Sequence, residues 1–137
     1  MTSTPPQTLQ PPQWAKPRGY SNGVAAEGRQ VFIAGQVGWN AQCQFTSTSM
    51  AAQLQQALAN VVAVLAEANG RPEHIVRLTW FVTSRDDYLA DLKGIGEAYR
   101  AVMGKHFPPM SVVQVVALME AEAKVEIEAT AVIPPAS

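Results

Sequence analysis

Few side chains of this sequence have the types and spacing of a metal-binding or nucleophilic site. His74 and His106 lie in different segments, and neither has a carboxylate at the spacing of a metal-ligand motif. Cys43 is the only cysteine, which excludes an internal disulfide and a cysteine-based metal site. We therefore expect no metal site in this protein.

A set of charged side chains that alternate with apolar residues lies near the C-terminus. In residues 123–133, polar and apolar residues alternate, as is typical of a β-strand with one solvated face. Lys124, Glu126, Glu128 and Thr130 share that face. A carboxylate there could activate a water molecule as a general base. It could equally form an ion pair with Lys124 or with a neighbouring subunit, and the pattern leaves both readings open.

Composition excludes several classes of function. The 137 residues carry a net charge of -1 with scattered lysines and arginines, which argues against a nucleic-acid-binding protein. Neither an apolar run of membrane-spanning length nor a signal peptide is visible, so a membrane partner is not expected and a cytoplasmic protein is. Charged residues make up 15%, against a typical ~25%. This shortage favours a surface that is partly buried between subunits.

The hydrophobic pattern predicts one α+β domain with the element order ββαβαββ. Glu27-Gly28-Arg29 is interpreted as the turn of a hairpin between the first two strands. Two helices on one face of a mostly antiparallel sheet are the expected arrangement. The predicted segments are a Pro-rich tail 1–15, a single domain 16–133 and a C-terminal tail 134–137, with strands 19–26, 30–37, 74–83, 110–118 and 123–133 and helices 50–68 and 88–103.

Helix starts are predicted from capping residues. Thr48 or Ser49 is expected to cap the first helix, and Asp86 or Asp87 the second. Apolar residues of the first helix recur at three- and four-residue spacing, which indicates a face that packs on the sheet.

Strand 110–118 is apolar on both faces. Val113, Val115 and Ala117 lie on one face, and Val112, Val116 and Leu118 lie on the other. Because two helices cover only one face of a sheet, the second face needs another partner. A second copy of the chain is the simplest partner, so we expect a homo-oligomer.

Six strings occur in order over residues 16–133. They are Gly19–Val24, Val31–Val37, Gln53–Val61, Thr83 with Ala98–Arg100, Phe107–Pro109 and Lys124–Ala129. Taken together, they resemble the RidA/YjgF family, which is also called endoribonuclease L-PSP. The resemblance implies a chorismate-mutase-like fold and a homotrimer with ligand clefts between subunits. It also implies a small-molecule ligand, no cofactor, and hydrolysis of enamines or imines to ketoacids and ammonia.

The resemblance also assigns site residues, and two of them depart from the family pattern. Glu126 matches the acid near the attacking water, and Tyr20 and Gly35 match substrate-binding positions. Met110 stands where the imine deaminases have an arginine that binds the substrate carboxylate. Ala34 replaces a small hydroxyl residue at the remaining substrate-binding position. The chain is thus expected to be a divergent member of the family.

Three functions follow from this reading. The first is enamine or imine hydrolysis with altered specificity, in which Glu126 is the catalytic residue. The second is a non-catalytic trimer that binds a metabolite in the same clefts. The third, RNA cleavage, is disfavoured because no basic groove and no histidine pair are present. Whether the protein is an enzyme is left open by the sequence.

Overall fold

The computed structural model describes residues 5–136. Residues 1–4 and Ser137, which belong to the predicted tails 1–15 and 134–137, lie outside the described residues. The division into two tails and one domain stays a prediction. The elements are β1 (Gln7–Leu9), β2 (Gly23–Ala25), β3 (Arg29–Val37), α1 (Met50–Ala66), β4 (Ile75–Val82), α2 (Arg85–Ala90), α3 (Leu92–Met103), β5 (Met110–Gln114) and β6 (Val125–Ile133).

The main sheet has four strands in the order β3-β6-β4-β5. β6 runs antiparallel to both β3 and β4, whereas β4 and β5 are parallel. α1 and α3 pack against each other and cover one face, which we call the inner face. No helix formed by residues 5–136 lies over the opposite face, the outer face. The predicted α+β fold with helices on one side is confirmed.

α1 is stabilised by a capping residue at its N-terminus and by an apolar face that packs on the sheet. The Ser49 side chain accepts a hydrogen bond from the N–H of Ala52, as an N-cap does. After the helix, Asn69 has a φ of 61° and the N–H of Gly70 donates to the carbonyl of Leu65, which closes the C-terminus. No helix within residues 5–136 is long and apolar enough to cross a bilayer. The buried residues of α1 are Met50, Gln53, Leu54, Ala57, Leu58, Val61 and Leu65.

The predicted hairpin between the first two strands is wrong. β2 pairs with β1, in the register Gln7↔Ala25 to Leu9↔Gly23, and β3 pairs with β6 instead. At Gly28, φ is +148° and a Cβ would overlap the carbonyl of Ile133. Gly28 therefore turns the chain against the end of β6, and a hairpin between β2 and β3 does not form.

The second predicted helix, 88–103, is two helices. α2 begins earlier than predicted, because the side chain of Ser84, not Asp86 or Asp87, caps it by accepting from the N–H of Asp87. Asp91 has a non-helical backbone, with φ -134° and ψ 46°, and its carboxylate accepts from the N–H of Gly94. An aspartate that caps the following turn in this way interrupts the helix.

The predicted strand 110–118 is shorter than expected. β5 ends at Gln114 because its partner, β4, ends at Val82. Beyond it, the side chain of Val116 is fully exposed. On the outer face, Phe32 is 72% exposed, so this face is uncovered in the single chain. Self-association stays a prediction.

Candidate functional site

The start of β6, which carries Glu126, is held by a buried glutamine of α1. The Gln53 side-chain amide donates to the carbonyls of Ser47 and Glu122 over 3.0 and 2.9 Å. Its oxygen accepts from the N–H of Lys124 over 2.7 Å. Because Gln53 is buried and fully bonded, it fixes the backbone two residues before Glu126.

The end of β3 is held by a second amide from the same helix. The Asn60 side chain donates to the carbonyls of Val37 and Trp39 over 3.0 and 2.8 Å. Between Ile33 and Gln36 the pairing of β3 with β6 shifts register. A bulge of this kind changes the direction in which nearby groups point.

This irregular stretch brings Gly35 against Glu126. A Cβ built on Gly35 would overlap the Glu126 carboxylate, so only glycine leaves room for that side chain. Glu126 is half-buried. Within residues 5–136 its carboxylate has no hydrogen bond and no ion pair, and the pairing with Lys124 is absent. The carboxylate is therefore held in place by packing and is free to bond a water or a ligand.

Tyr20 and Met110 line a cavity of about 190 Å³ with Arg77 and Ser111. Tyr20 precedes β2 and is exposed. Met110 is the first residue of β5, is half-buried, and also packs against the core under the helices. The cavity thus combines the apolar side chain of Met110 with the hydroxyl groups of Tyr20 and Ser111 and the guanidinium of Arg77.

The wall of this cavity is anchored by the turn before β5. The Ser21 hydroxyl donates to the carbonyl of Phe107, and Ser21 also forms a bridge to Pro109. The Tyr99 hydroxyl donates to the carbonyl of His106, and its ring stacks on Phe107 with centroids 5.6 Å apart. Burial raises the pKa of the Tyr99 hydroxyl well above its ordinary value, so it stays protonated and keeps this bond.

Ala34 lies in a second cavity, of about 420 Å³, on the outer face. Arg77, Glu128, Thr130 and Phe32 line it as well. Arg77 therefore borders both cavities, although sequence reasoning did not select it. The available signal was a charged residue inside the apolar run of strand 74–83, in phase with Thr79 and out of phase with Trp80.

The chain brings the candidate residues together in two groups. One group is Gly35 with Glu126, and the other is Tyr20 with Met110. Glu126 pairs with Phe81 on β4, whereas Met110 pairs with Leu78 one strand further on. With three residues along β4 and two strand spacings, the Cα atoms of Glu126 and Met110 are about 14 Å apart.

The histidines make structural contacts. The Nδ1 atom of His74 accepts from the N–H of Arg71 over 3.0 Å, and Nε2 of His106 lies 2.7 Å from the carbonyl oxygen of Ile75. Among residues 5–136, no three His, Cys, Asp or Glu side chains form a group that could hold a metal ion. Cys43 is exposed.

Several known proteins are similar to this chain in sequence or in fold. The 2-iminobutanoate/2-iminopropanoate deaminase of Escherichia coli strain K12 is 33% identical over 105 residues, which are 77% of this chain and 80% of that protein. The Yersinia pestis protein YyfB, of the Rid family, has a crystal structure with a TM-score of 0.81 and 34% identity. That match covers 93% of this chain and 98% of YyfB.

A further solved structure was determined with a bound amino acid. It is TdcF of Escherichia coli with bound serine, with a TM-score of 0.66 and 31% identity over 89% of this chain and 92% of TdcF. The sequence profile of the family described as Endoribonuclease L-PSP matches residues 13–133. The chain therefore belongs to the endoribonuclease L-PSP family, which is also called the RidA/YjgF family.

Proposed function

We propose that this protein hydrolyses small enamines or imines and that Glu126 is the general base. The observation that carries the proposal is the Glu126 carboxylate itself, which lies against Gly35, half-buried and without a partner among the described residues. The relative named as a 2-iminobutanoate/2-iminopropanoate deaminase supports the class of reaction.

The chemistry requires only acid–base steps. Glu126 takes a proton from a water molecule while the water oxygen forms a bond to the imine carbon. The proton then passes from the carboxyl group to the nitrogen, which gives a carbinolamine. Glu126 next takes the proton of the new hydroxyl group and passes it to the nitrogen, so that the carbon–nitrogen bond breaks, ammonia leaves and the carbonyl group forms. One imine and one water thus yield one ketone and one ammonia. No cofactor and no metal take part in the proposed reaction.

The reaction cleft is proposed to form between subunits of a cytoplasmic homotrimer. Within one chain, Glu126 and Met110 are about 14 Å apart, which is too far for one small substrate to touch both. In a closed ring of identical chains, the Glu126 of one subunit meets Tyr20 and Met110 of the next. The uncovered outer face with Phe32 supports this arrangement.

Met110 is proposed to alter the substrate range. A thioether cannot form the bidentate bond that an arginine forms with a carboxylate. Loss of such a charged contact costs about 1.5–3 kcal/mol, or about ten- to a hundredfold in affinity. The position is apolar and packs against the core, so it suits the apolar part of a substrate, with Tyr20, Ala34 and Gly35 completing the binding surface.

The decisive experiment measures ammonia release from imines that are generated in situ, with and without a carboxylate group. We expect Glu126→Gln to lower kcat/KM by about a hundredfold or more, because a general base contributes that much. Glu97→Gln, on the exposed surface of α3, is the matched control and should keep wild-type activity. Both variants should melt at the wild-type temperature.

Two outcomes would count against the proposal. Wild-type turnover in Glu126→Gln would remove Glu126 as the base. No acceleration by wild type, combined with ligand-dependent protection against melting, would favour the alternative function of a binding protein without catalysis. The apolar side chain of Met110 in the cavity is the observation that supports this alternative.

A further inference from the structure

Arg77 occupies a place in the sheet that no other cation of the described chain shares. It is the third residue of β4, and its neighbour Leu78 faces the inner core. Arg77 itself is exposed and borders both the cavity of Tyr20 and Met110 and the cavity of Ala34. The Arg77 side chain therefore borders both cavities that contain candidate site residues.

The charge of Arg77 is not neutralised within residues 5–136. The ion pair found there joins Arg71 and Glu73, and no ion pair or side-chain hydrogen bond involves Arg77. Glu128 is its diagonal neighbour, because Arg77 pairs with Thr130, and such positions have Cα atoms about 7–8 Å apart. Glu128 lines the second cavity but does not pair with Arg77, so the guanidinium has free donors.

We propose that Arg77 binds the carboxylate of the substrate in the cleft that Met110 leaves without a cation. A guanidinium presents a planar fork that matches a carboxylate with two parallel hydrogen bonds. The hydroxyl groups of Tyr20 and Ser111 border the same cavity and can donate to the same anion. A residue of β4 thus binds the carboxylate, and the apolar part of the ligand contacts Met110.

The size of the cavity limits the anion. At about 190 Å³ it is smaller than the 300–1,000 Å³ of sites that take drug-sized ligands. This part of the cleft therefore has room for one carboxylate and a few carbons, and the carbonyl or imine group of the ligand follows from the proposed function. This inference rests on the proposed function only for the identity of the reacting group, because the carboxylate would bind whether or not hydrolysis follows.

The test compares the binding of 2-oxobutanoate with that of its uncharged methyl ester by isothermal titration calorimetry. We expect Arg77→Gln to raise Kd for 2-oxobutanoate by about ten- to a hundredfold and to leave Kd for the ester unchanged. Arg77→Lys should show a smaller loss, because the charge remains but the fork is absent. Arg85→Gln, an exposed arginine at the start of α2, removes the same charge elsewhere and should bind like wild type.

Two results would overturn the inference. One is an unchanged Kd for 2-oxobutanoate in Arg77→Gln with an unchanged melting temperature. The other is a wild-type protein that binds the acid no better than the ester, or binds neither.

Glu126→Gln separates this test from that of the proposed function. That variant keeps Arg77 and should still bind 2-oxobutanoate more tightly than its methyl ester. Carboxylate binding through Arg77 without any turnover would refute the hydrolase proposal alone. Turnover of carboxylated imines at the wild-type rate in Arg77→Gln would refute this inference alone.

Discussion

The two faces of the main sheet differ in whether helices of the same chain cover them. On the inner face, Leu78, Trp80, Val82 and Ile127 are buried beneath α1 and α3, so the chain closes this face by itself. On the outer face, Phe32 is largely exposed, and Arg77, Glu126, Glu128 and Thr130 point away from the helices. The same strands build both faces, because side chains alternate along each strand.

The inner face stabilises the fold, whereas the outer face carries the residues proposed to bind and react with the ligand. The inner face is apolar and its burial stabilises the fold in a way that is non-directional. The outer face contains charged groups, which are costly to cover unless each one finds a partner. On the outer face, Phe32 is exposed, and neither Arg77 nor Glu126 has an ion-pair partner among the described residues. Such a surface is suited to close around a polar ligand.

The largest expected difference between the two faces concerns the truncation of one large side chain on each face. Leu58→Ala, at a fully buried position of α1, should lower the free energy of unfolding by about 3 kcal/mol. Phe32→Ala should change the unfolding of the isolated chain by about 0.5 kcal/mol or less and should instead weaken self-association. Denaturant titrations and light scattering over a range of protein concentrations measure both effects. Equal destabilisation of the isolated chain by both variants would refute the division between the faces.

A second prediction concerns the contact between the bulged stretch of β3 and Glu126. Gly35→Ala should push the carboxylate aside and reduce the proposed turnover by about ten- to a hundredfold, with little change in melting temperature. Gly96→Ala in α3 is the control. Its Cβ would meet only the flexible end of Arg100, and alanine there should stabilise the helix by about 0.8–1 kcal/mol. Full activity in Gly35→Ala would show that the position of Glu126 does not matter.

The smallest expected effect concerns His74, just before β4 enters the sheet. Burial lowers the pKa of His74, with Arg71 and His106 adding to the shift and Glu73 opposing it. As the pH falls, the unfolded chain therefore takes up the proton before the folded chain does. The contribution to stability is fully present above about pH 6.5 and is lost as the pH falls through the lowered pKa.

Melting temperatures between about pH 7.5 and pH 5 would measure this loss. His74→Gln should show a flatter profile than the wild type. Identical profiles would mean that other groups cause the pH dependence.

Local periodicity made the elements predictable from the sequence. The three- and four-residue spacing of α1 and the strict alternation of β6 are set within each segment, and both elements form close to the predicted bounds. The pairing of β2 was missed because its partner, Gln7–Leu9, is a three-residue strand with no periodic signal of its own. The break at Asp91 was missed because a cap inside a helical pattern depends on the backbone it bonds.

The candidate site was predictable only as a set of separate residues. Matching strings selected Gly35 and Glu126, but their contact arises from the shift in register between Ile33 and Gln36. Such a shift is a property of two strands and leaves no pattern in either one. Arg77 was missed for a related reason, since it borders both cavities only after β4 lies between β5 and β6.

The short strand β1 has a practical consequence for handling this protein. The family match begins at residue 13, so a chain shortened to that point would keep every candidate site residue. It would also lose Gln7–Leu9 and leave the backbone N–H and C=O groups of Gly23–Ala25 without their partners. An open strand edge is a template for pairing with other molecules, so the shortened chain should aggregate at concentrations at which the full chain does not.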